Sequence, residues 1–291
     1  MALYHMKVIK IIIVICVLFF FGCVSEPVHV NRDDQKRADV INAEHIIFIG
    51  FDGFGSNFLP KSNMPNLKQM IVQGSSAMNM INVLPPVSTA NWLSLFIGTP
   101  HNKKTSENFP SILSVLNDAG KSIAYFYEWH GMKEISDLYN IESFYIDPNY
   151  ESTLKAAQYI KENKPAFTSI VYSEPDNTGH KKWFGTKAYY KKLELLDSFI
   201  PIITQAAIDS GIYDKTVFII STDHGGVFWE HQVNLKSIRN IPFIICGKGI
   251  KKDYKILTAS RIFDIAPTMA VILGLDVPSE WTGSPLWEIF D

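Results

Sequence analysis

Five side chains able to bind a metal stand in short glycine-bearing segments that follow apolar runs. Asp52 lies in Phe51-Asp52-Gly53-Phe54-Gly55, where the glycines permit a tight turn and close backbone approach. Asp176 and His180 are four residues apart in Glu174-Pro175-Asp176-Asn177-Thr178-Gly179-His180, a spacing that lets both side chains point the same way in a tight turn or at a helix start. Asp223 and His224 lie in Ser221-Thr222-Asp223-His224-Gly225-Gly226, and His231 follows His224 by seven residues. Carboxylate oxygen combined with imidazole nitrogen suits zinc or manganese. Taken singly, each segment also has a plainer reading as a turn, an N-cap or a hydrogen-bonded loop. Ser88, in Pro86-Val87-Ser88-Thr89-Ala90-Asn91-Trp92, opens an apolar helix. A serine there suits an N-cap. The same geometry aims backbone N–H groups at an anion. Ser88 is then placed to attack phosphorus, and Asn91 to donate its side-chain N–H to a phosphate oxygen. Phe228 and Trp229, between the last two histidines, suit either stacking on a substrate's apolar group or packing. Trp183 and Phe184, after His180, read the same way.

Such chemistry needs a scaffold that brings residues 52, 88, 176 and 223 to one place. Strands are predicted at 45–51, 121–127, 167–172, 216–220 and 241–246, short β-branched runs suited to a sheet buried on both faces. Helices are predicted at 64–73, 91–97, 110–119, 152–161, 189–209 and 262–273. This alternation indicates an α/β fold with a mostly parallel central sheet and helices on both faces. In such sheets ligands collect at the carboxyl ends of the strands. The metal-capable segments follow three of those predicted strands. There is no internal repeat, and no Pro/Gly linker divides the chain. The expectation is one catalytic domain over 44–291, with a small cap inserted at about 100–165.

Jointly, the FDG turn, the Ser-x-x-Asn helix start, the EPDxxGH loop and the DHGG loop resemble, in that order, the alkaline phosphatase superfamily. The nearest likeness is to its type I phosphodiesterase/nucleotide pyrophosphatase branch. His231, ahead of IPFIICGKGIK, and the tail RIFDIAPTMAVILGLDVPSEWTGSPL extend the resemblance over residues 45–288. It implies an alkaline-phosphatase-like three-layer sandwich with two divalent metal ions, zinc first among them. Asp176, His180 and His231 hold one ion; Asp52, Asp223 and His224 hold the other. Ser88 is the implied nucleophile, where the family usually has threonine, with Thr89 the neighbouring alternative. The implied activity is hydrolysis of phosphate esters, diesters ahead of monoesters, through a phosphoserine. A phosphomonoesterase, a phosphotransferase or a non-catalytic binding protein on the same fold are the alternatives. The interval from DHGG to His231 is short for nucleotide pyrophosphatases, which implies a trimmed cap and an open site. The Cys/Ser-x-Pro-x-Arg motif of sulfatases is missing around Ser88.

Hydrophobic residues make up 47% and charged residues 19%, a globular balance. Net charge is −2, with only four arginines and no basic run interleaved with aromatics, so no specific nucleic-acid binding is expected. The expected partner is a small-molecule phosphate ester, a nucleotide or another diester. Lys7 and Lys10 precede eleven apolar residues, 11–21, then Gly22 and Cys23. That run is too short to span a bilayer comfortably and suits a signal peptide over 1–23. Cys23 resembles a bacterial lipoprotein cleavage site, despite the bulky Phe20 and Phe21. Residues 24–43 are polar and read as a tether. The expectation is an exported cell-envelope protein held to a membrane by a lipid on Cys23. Cys16 is discarded with the signal, and Cys246 then has no disulfide partner.

Overall fold

The computed structural model describes residues 41, 43–101, 109–147 and 150–291. The signal peptide, lipidation at Cys23 and nearly all of the tether lie outside the described residues. Two tether positions do not: Ile41 and Ala43 are buried in the core, so the folded domain has begun by residue 41.

In chain order the main elements are β1 (His45–Phe51), α1 (Pro65–Gln73), β2 (Gly74–Ile81), α2 (Ser88–Ile97), α3 (Ile112–Asp118), β3 (Ile123–Tyr127), α4 (His130–Leu138) and β4 (Ser143–Tyr145). There follow α5 (Tyr150–Asn163), β5 (Phe167–Tyr172), α6 (Asp176–Lys182), α7 (Lys187–Asp209), β6 (Thr216–Ser221), α8 (Lys236–Arg239), β7 (Asn240–Gly247), β8 (Tyr254–Lys255) and α9 (Ile265–Ile272). The strands form one sheet in the order β4-β3-β5-β1-β6-β7-β2-β8. β7 is antiparallel to both of its neighbours, and every other pairing is parallel.

The apolar run of β1 shows why the sheet is buried on both faces. Ile46 and Phe48 point into one core with α2, α3 and α9; Ile47, Ile49 and Phe51 point into a second core with α1, α5 and α7. Period-two alternation thus serves two hydrophobic layers. Central β7 contains Pro242, which has no N–H for the ladder. The β2–β7 register shifts between Ala77 and Met80, which pair with Phe243 and Ile241, so the irregularity falls opposite Pro242.

A cap insertion is expected at about 100–165, and the described residues of that stretch are part of the central sheet and its covering helices. They add β3 and β4 to the edge of the central sheet, in parallel with β5, and α3 and α4 bury apolar faces in the same core. Parallel pairing of β3, β4 and β5 requires crossover connections, and α4 and α5 are those connections. Strands β2, β4 and β8 and helices α4, α6 and α8 were not among the predicted elements.

Candidate functional site

Adjacent strands β5, β1 and β6 all run the same way, so their carboxyl ends open on one edge of the sheet. Asp52 follows β1 directly, Asp223 and His224 lie just beyond β6, and Asp176 opens α6 shortly after β5. The Asp176 N–H donates to the Asp52 carbonyl at 3.0 Å, tying the first and third of these segments together. Gly53 turns the chain away at φ 76°, where a Cβ would stand 2.8 Å from that of Asp176.

Asp52, Asp223 and His224 offer ligand atoms within 4.8 Å of one another, and Asp176, His180 and His231 do the same. These are the two sets implied by the sequence motifs. The His224 and His231 rings are stacked at 3.7 Å, so the sets adjoin. In the first set all three residues are buried; in the second His180 is exposed.

The hydrogen bonds leave the inner atoms free. Asp223 Oδ1 accepts from the N–H groups of Gly53 at 3.2 Å and His224 at 2.9 Å and from the Thr222 hydroxyl at 3.2 Å. Asp52 Oδ2 accepts from Trp92 Nε1 at 3.1 Å. Asp176 Oδ2 is 3.2 Å from His180 Nε2. The other oxygen of each carboxylate, Asp52 Oδ1, Asp176 Oδ1 and Asp223 Oδ2, is buried with no hydrogen-bond partner. Each histidine places Nδ1 against a main-chain carbonyl: His180 on Trp229 at 2.7 Å, His224 on Gly225 at 2.9 Å and His231 on Pro86 at 2.8 Å. Nδ1 therefore carries the proton, and Nε2 turns inward as a lone-pair donor. Three orphaned carboxylate oxygens and three oriented imidazoles fit divalent cations, because buried carboxylates need positive charge.

Titration behaviour agrees with that need. Burial, then the charges of Asp223 and Asp176, push the Asp52 carboxyl well above the usual carboxylate range. Burial also acts upward on Asp176, but where the imidazoles are protonated a hydrogen bond from His180 and the positive charges of His224, His180 and His231 outweigh it, and its net shift is downward. The bond to Asp176 raises His180, whereas burial and then His224 lower His231.

Ser88 is the first residue of α2. Its hydroxyl makes no cap; Oγ lies 3.1 Å from His224 Nε2, beside the first set. Val87, the residue before the helix, provides no side-chain cap either, so the first helical N–H groups are left for an anion. Thr89 is exposed and has no such contact among the described bonds. Asn91 departs from expectation. It is fully buried, Oδ1 accepts from Val83 N–H at 2.7 Å, and Nδ2 donates to the Val87 carbonyl at 3.1 Å. Helical side chains lean toward the N-terminus, so Asn91 staples the loop before its own helix, and in this arrangement its amide is occupied by main-chain partners. Phe228 and Trp229 are exposed at the rim, with Trp183 beside them, and Phe184 is buried.

Sequence reasoning did not single out Trp92, Thr222 or Asn82. Trp92 is one helical turn after Ser88, and that spacing was the available signal. Asn82 donates to the Asp223 carbonyl at 2.9 Å and accepts from Arg239 Nε at 2.7 Å.

A family model described as the Metalloenzyme superfamily matches residues 53–277. An ectonucleotide pyrophosphatase/phosphodiesterase of Caenorhabditis elegans is 21% identical over 263 residues, covering 78% of this chain and 34% of that protein. A 2,3-bisphosphoglycerate-independent phosphoglycerate mutase of Clostridioides difficile is 30% identical over 143 residues, covering 47% of this chain and 27% of the mutase. The chain thus spans about a third or less of the length of these curated relatives. Among solved structures, an inactive variant of murine ectonucleotide pyrophosphatase/phosphodiesterase 5 in complex with AMP superposes with a TM-score of 0.71 at 12% identity, covering 85% of this chain and 100% of that one. A 2-O GAG sulfatase superposes with a TM-score of 0.71 at 16% identity, covering 84% and 73%. At these identities the likeness is one of fold.

Proposed function

Because this chain belongs to the metalloenzyme superfamily, the alkaline-phosphatase-like group whose members are hydrolases or mutases, we propose that it hydrolyses phosphate esters, diesters ahead of monoesters, with Ser88 as nucleophile and two zinc ions as cofactors. The observation that carries the reading is Ser88 Oγ at 3.1 Å from His224 Nε2, beside two adjoining carboxylate–imidazole sets. When bound, the cations supply Lewis-acid stabilisation of the phosphoryl oxygens and lower the pKa of an adjacent hydroxyl. Asp52, Asp223 and His224 would hold one, and Asp176, His180 and His231 the other. The α2 N-terminus orients the anionic group with its free N–H donors. Ser88 Oγ forms a bond to phosphorus as the ester's P–O bond breaks, and water then cleaves the phosphoserine.

Preference for diesters is supported by the absence of arginine from the site's motifs, which only the exposed Lys181 and Lys182 adjoin. A monoester carries more charge and calls for a further cation. Of the described arginines, Arg239 is engaged with Asn82 and Asn234, and Arg261 lies over the Phe263 ring. Lys192 pairs with Glu174 at 3.3 Å. A sulfatase reading lacks the required neighbours of Ser88.

The test is turnover of bis-p-nitrophenyl phosphate and p-nitrophenyl phosphate by wild type and Ser88→Ala, with metal analysis. We expect two metals per chain, faster diester turnover, and a Ser88→Ala protein that keeps its metals and loses at least ~10³-fold in rate. Near-normal rates in Ser88→Ala refute the nucleophile. A metal-loaded wild type inert to both esters points to a binding protein instead.

A further inference from the structure

Trp183, Phe228 and Trp229 are 51%, 61% and 56% exposed. Their rings nevertheless form a cluster, with centroids 6.1 Å apart for Trp183–Phe228, 5.8 Å for Trp183–Trp229 and 6.2 Å for Phe228–Trp229. Two of the three hold their rings out on strained backbone: Trp183 at φ 73° and Phe228 at φ 53°, in the left-handed region that bulky residues avoid. Strain of this kind clusters where a ligand is held. Packing does not account for the cluster, because Phe184 already does that work beneath it. The Phe184 ring fills the space where a Cβ on Gly179 or Gly226 would stand, at 2.5 and 2.3 Å, and so locks α6 to the loop after β6.

The cluster is attached to the metal-binding sets through main chain. The Phe184 N–H donates to the Phe228 carbonyl at 2.7 Å, and the Trp229 carbonyl accepts from His180 Nδ1 at 2.7 Å. His180 is itself 43% exposed at its side chain, so the aromatic surface begins where the Asp176–His180–His231 set meets solvent. The rings are tilted against one another, at 84° for Trp183–Phe228, 49° for Trp183–Trp229 and 42° for Phe228–Trp229, so a flat apolar group attached to a phosphate at that set would stack on one of them and meet the others at its edge. Resting on the phosphate-ester reading above, we propose that Trp183, Phe228 and Trp229 form a stacking ledge that selects esters carrying a planar aromatic substituent.

The test holds the anionic group constant and varies only what is attached to it. Dissociation constants of methylphosphonate, phenylphosphonate and 1-naphthylmethylphosphonate, none of which is an ester, are measured by calorimetry on the zinc-loaded full chain. Wild type is expected to bind the naphthyl compound about tenfold more tightly than methylphosphonate. Trp183→Ala, Trp229→Ala and Phe228→Gly should each reduce that preference to about twofold or less, with methylphosphonate affinity unchanged and Trp229→Phe retaining most of it. The His180 contact uses the carbonyl of Trp229, so it survives these truncations. Phe228→Gly relaxes the strained backbone and should not lower Tm, which a ring present for packing would do. Three results overturn the ledge: a preference that persists in every variant, a parallel fall in methylphosphonate affinity, or a wild type that binds methylphosphonate without favouring aromatics. Loss of binding to phosphatidylglycerol vesicles, with the preference intact, also overturns it and makes the rings a membrane contact. A wild type that binds none of the phosphonates removes the phosphate site itself, and the ledge with it.

Discussion

Trp92→Phe isolates one hydrogen bond in the site. Trp92 is fully buried one turn along α2 from Ser88, and its Nε1–H donates to Asp52 Oδ2 at 3.1 Å. Phenylalanine keeps the aromatic bulk and removes the donor. Hydrogen bonds to charged groups contribute about 1.5–3 kcal/mol. Losing a partner that orients a metal ligand typically weakens metal affinity by roughly 10- to 100-fold, which at 1.4 kcal/mol per decade is about 1.4–2.8 kcal/mol. The two routes agree, so the expected loss is 10- to 100-fold at the Asp52–Asp223–His224 set. Among the described residues the Trp92 indole N–H bonds to Asp52 and not to the Asp176–His180–His231 set, which serves as an internal reference. Zinc is titrated in competition with a chromogenic chelator, which resolves a tight and a weakened phase in the variant. Some stability is lost as well, since phenylalanine leaves a void where the indole was, but affinity is read on the folded protein. Unchanged affinity at both sets, or an equal fall at both, refutes the idea that Trp92 orients Asp52.

Two further outcomes test the surrounding structure. Asn91→Ala should lower stability by about 2–4 kcal/mol, because buried loop N–H and C=O groups lose their partners; kcat/KM per folded molecule should stay within a few-fold, and a large loss of activity at normal Tm would restore Asn91 to the substrate. Burial acts upward on Glu288, but bonds from Thr258, Leu257 and Tyr254 prevail and hold its carboxyl at about 2. A depressed carboxylate contributes stability above its unfolded value, near 4.3, and loses it as pH falls toward the folded value. The Tm difference between wild type and Glu288→Gln should therefore be full at pH 6 and shrink between about pH 4.5 and 2; a difference that grows on acidification contradicts this.

What could be read from the sequence followed the physics of each segment. β1, β5 and β6 were legible because a strand covered on both faces must be apolar at every position, and their β-branched runs leave little choice. β2, GSSAMNMI, has small and polar residues instead and owes its conformation to β7 and β8 beside it. β4 is three residues long and takes its place from β3. The two carboxylate–imidazole sets were legible because their glycines and acid–imidazole pairs are costly unless a fold requires them together. The main-chain partners of Asn91 were not legible, because spacing along a helix says which face a residue shares and not how far its side chain leans back. Trp92 was passed over because an indole among apolar neighbours reads as core. Its one polar atom is what matters here.

The backing of the three histidines has a consequence for how such a site can drift. Their Nδ1 partners are the carbonyls of Trp229, Gly225 and Pro86, which every residue type possesses. Substitution at those three positions cannot delete the acceptor; only a change in the path of the loop can move it. Ring orientation is therefore inherited with the chain trace, and the side chains outside the loops' sharp turns are released to vary toward new ligands without retuning the imidazoles.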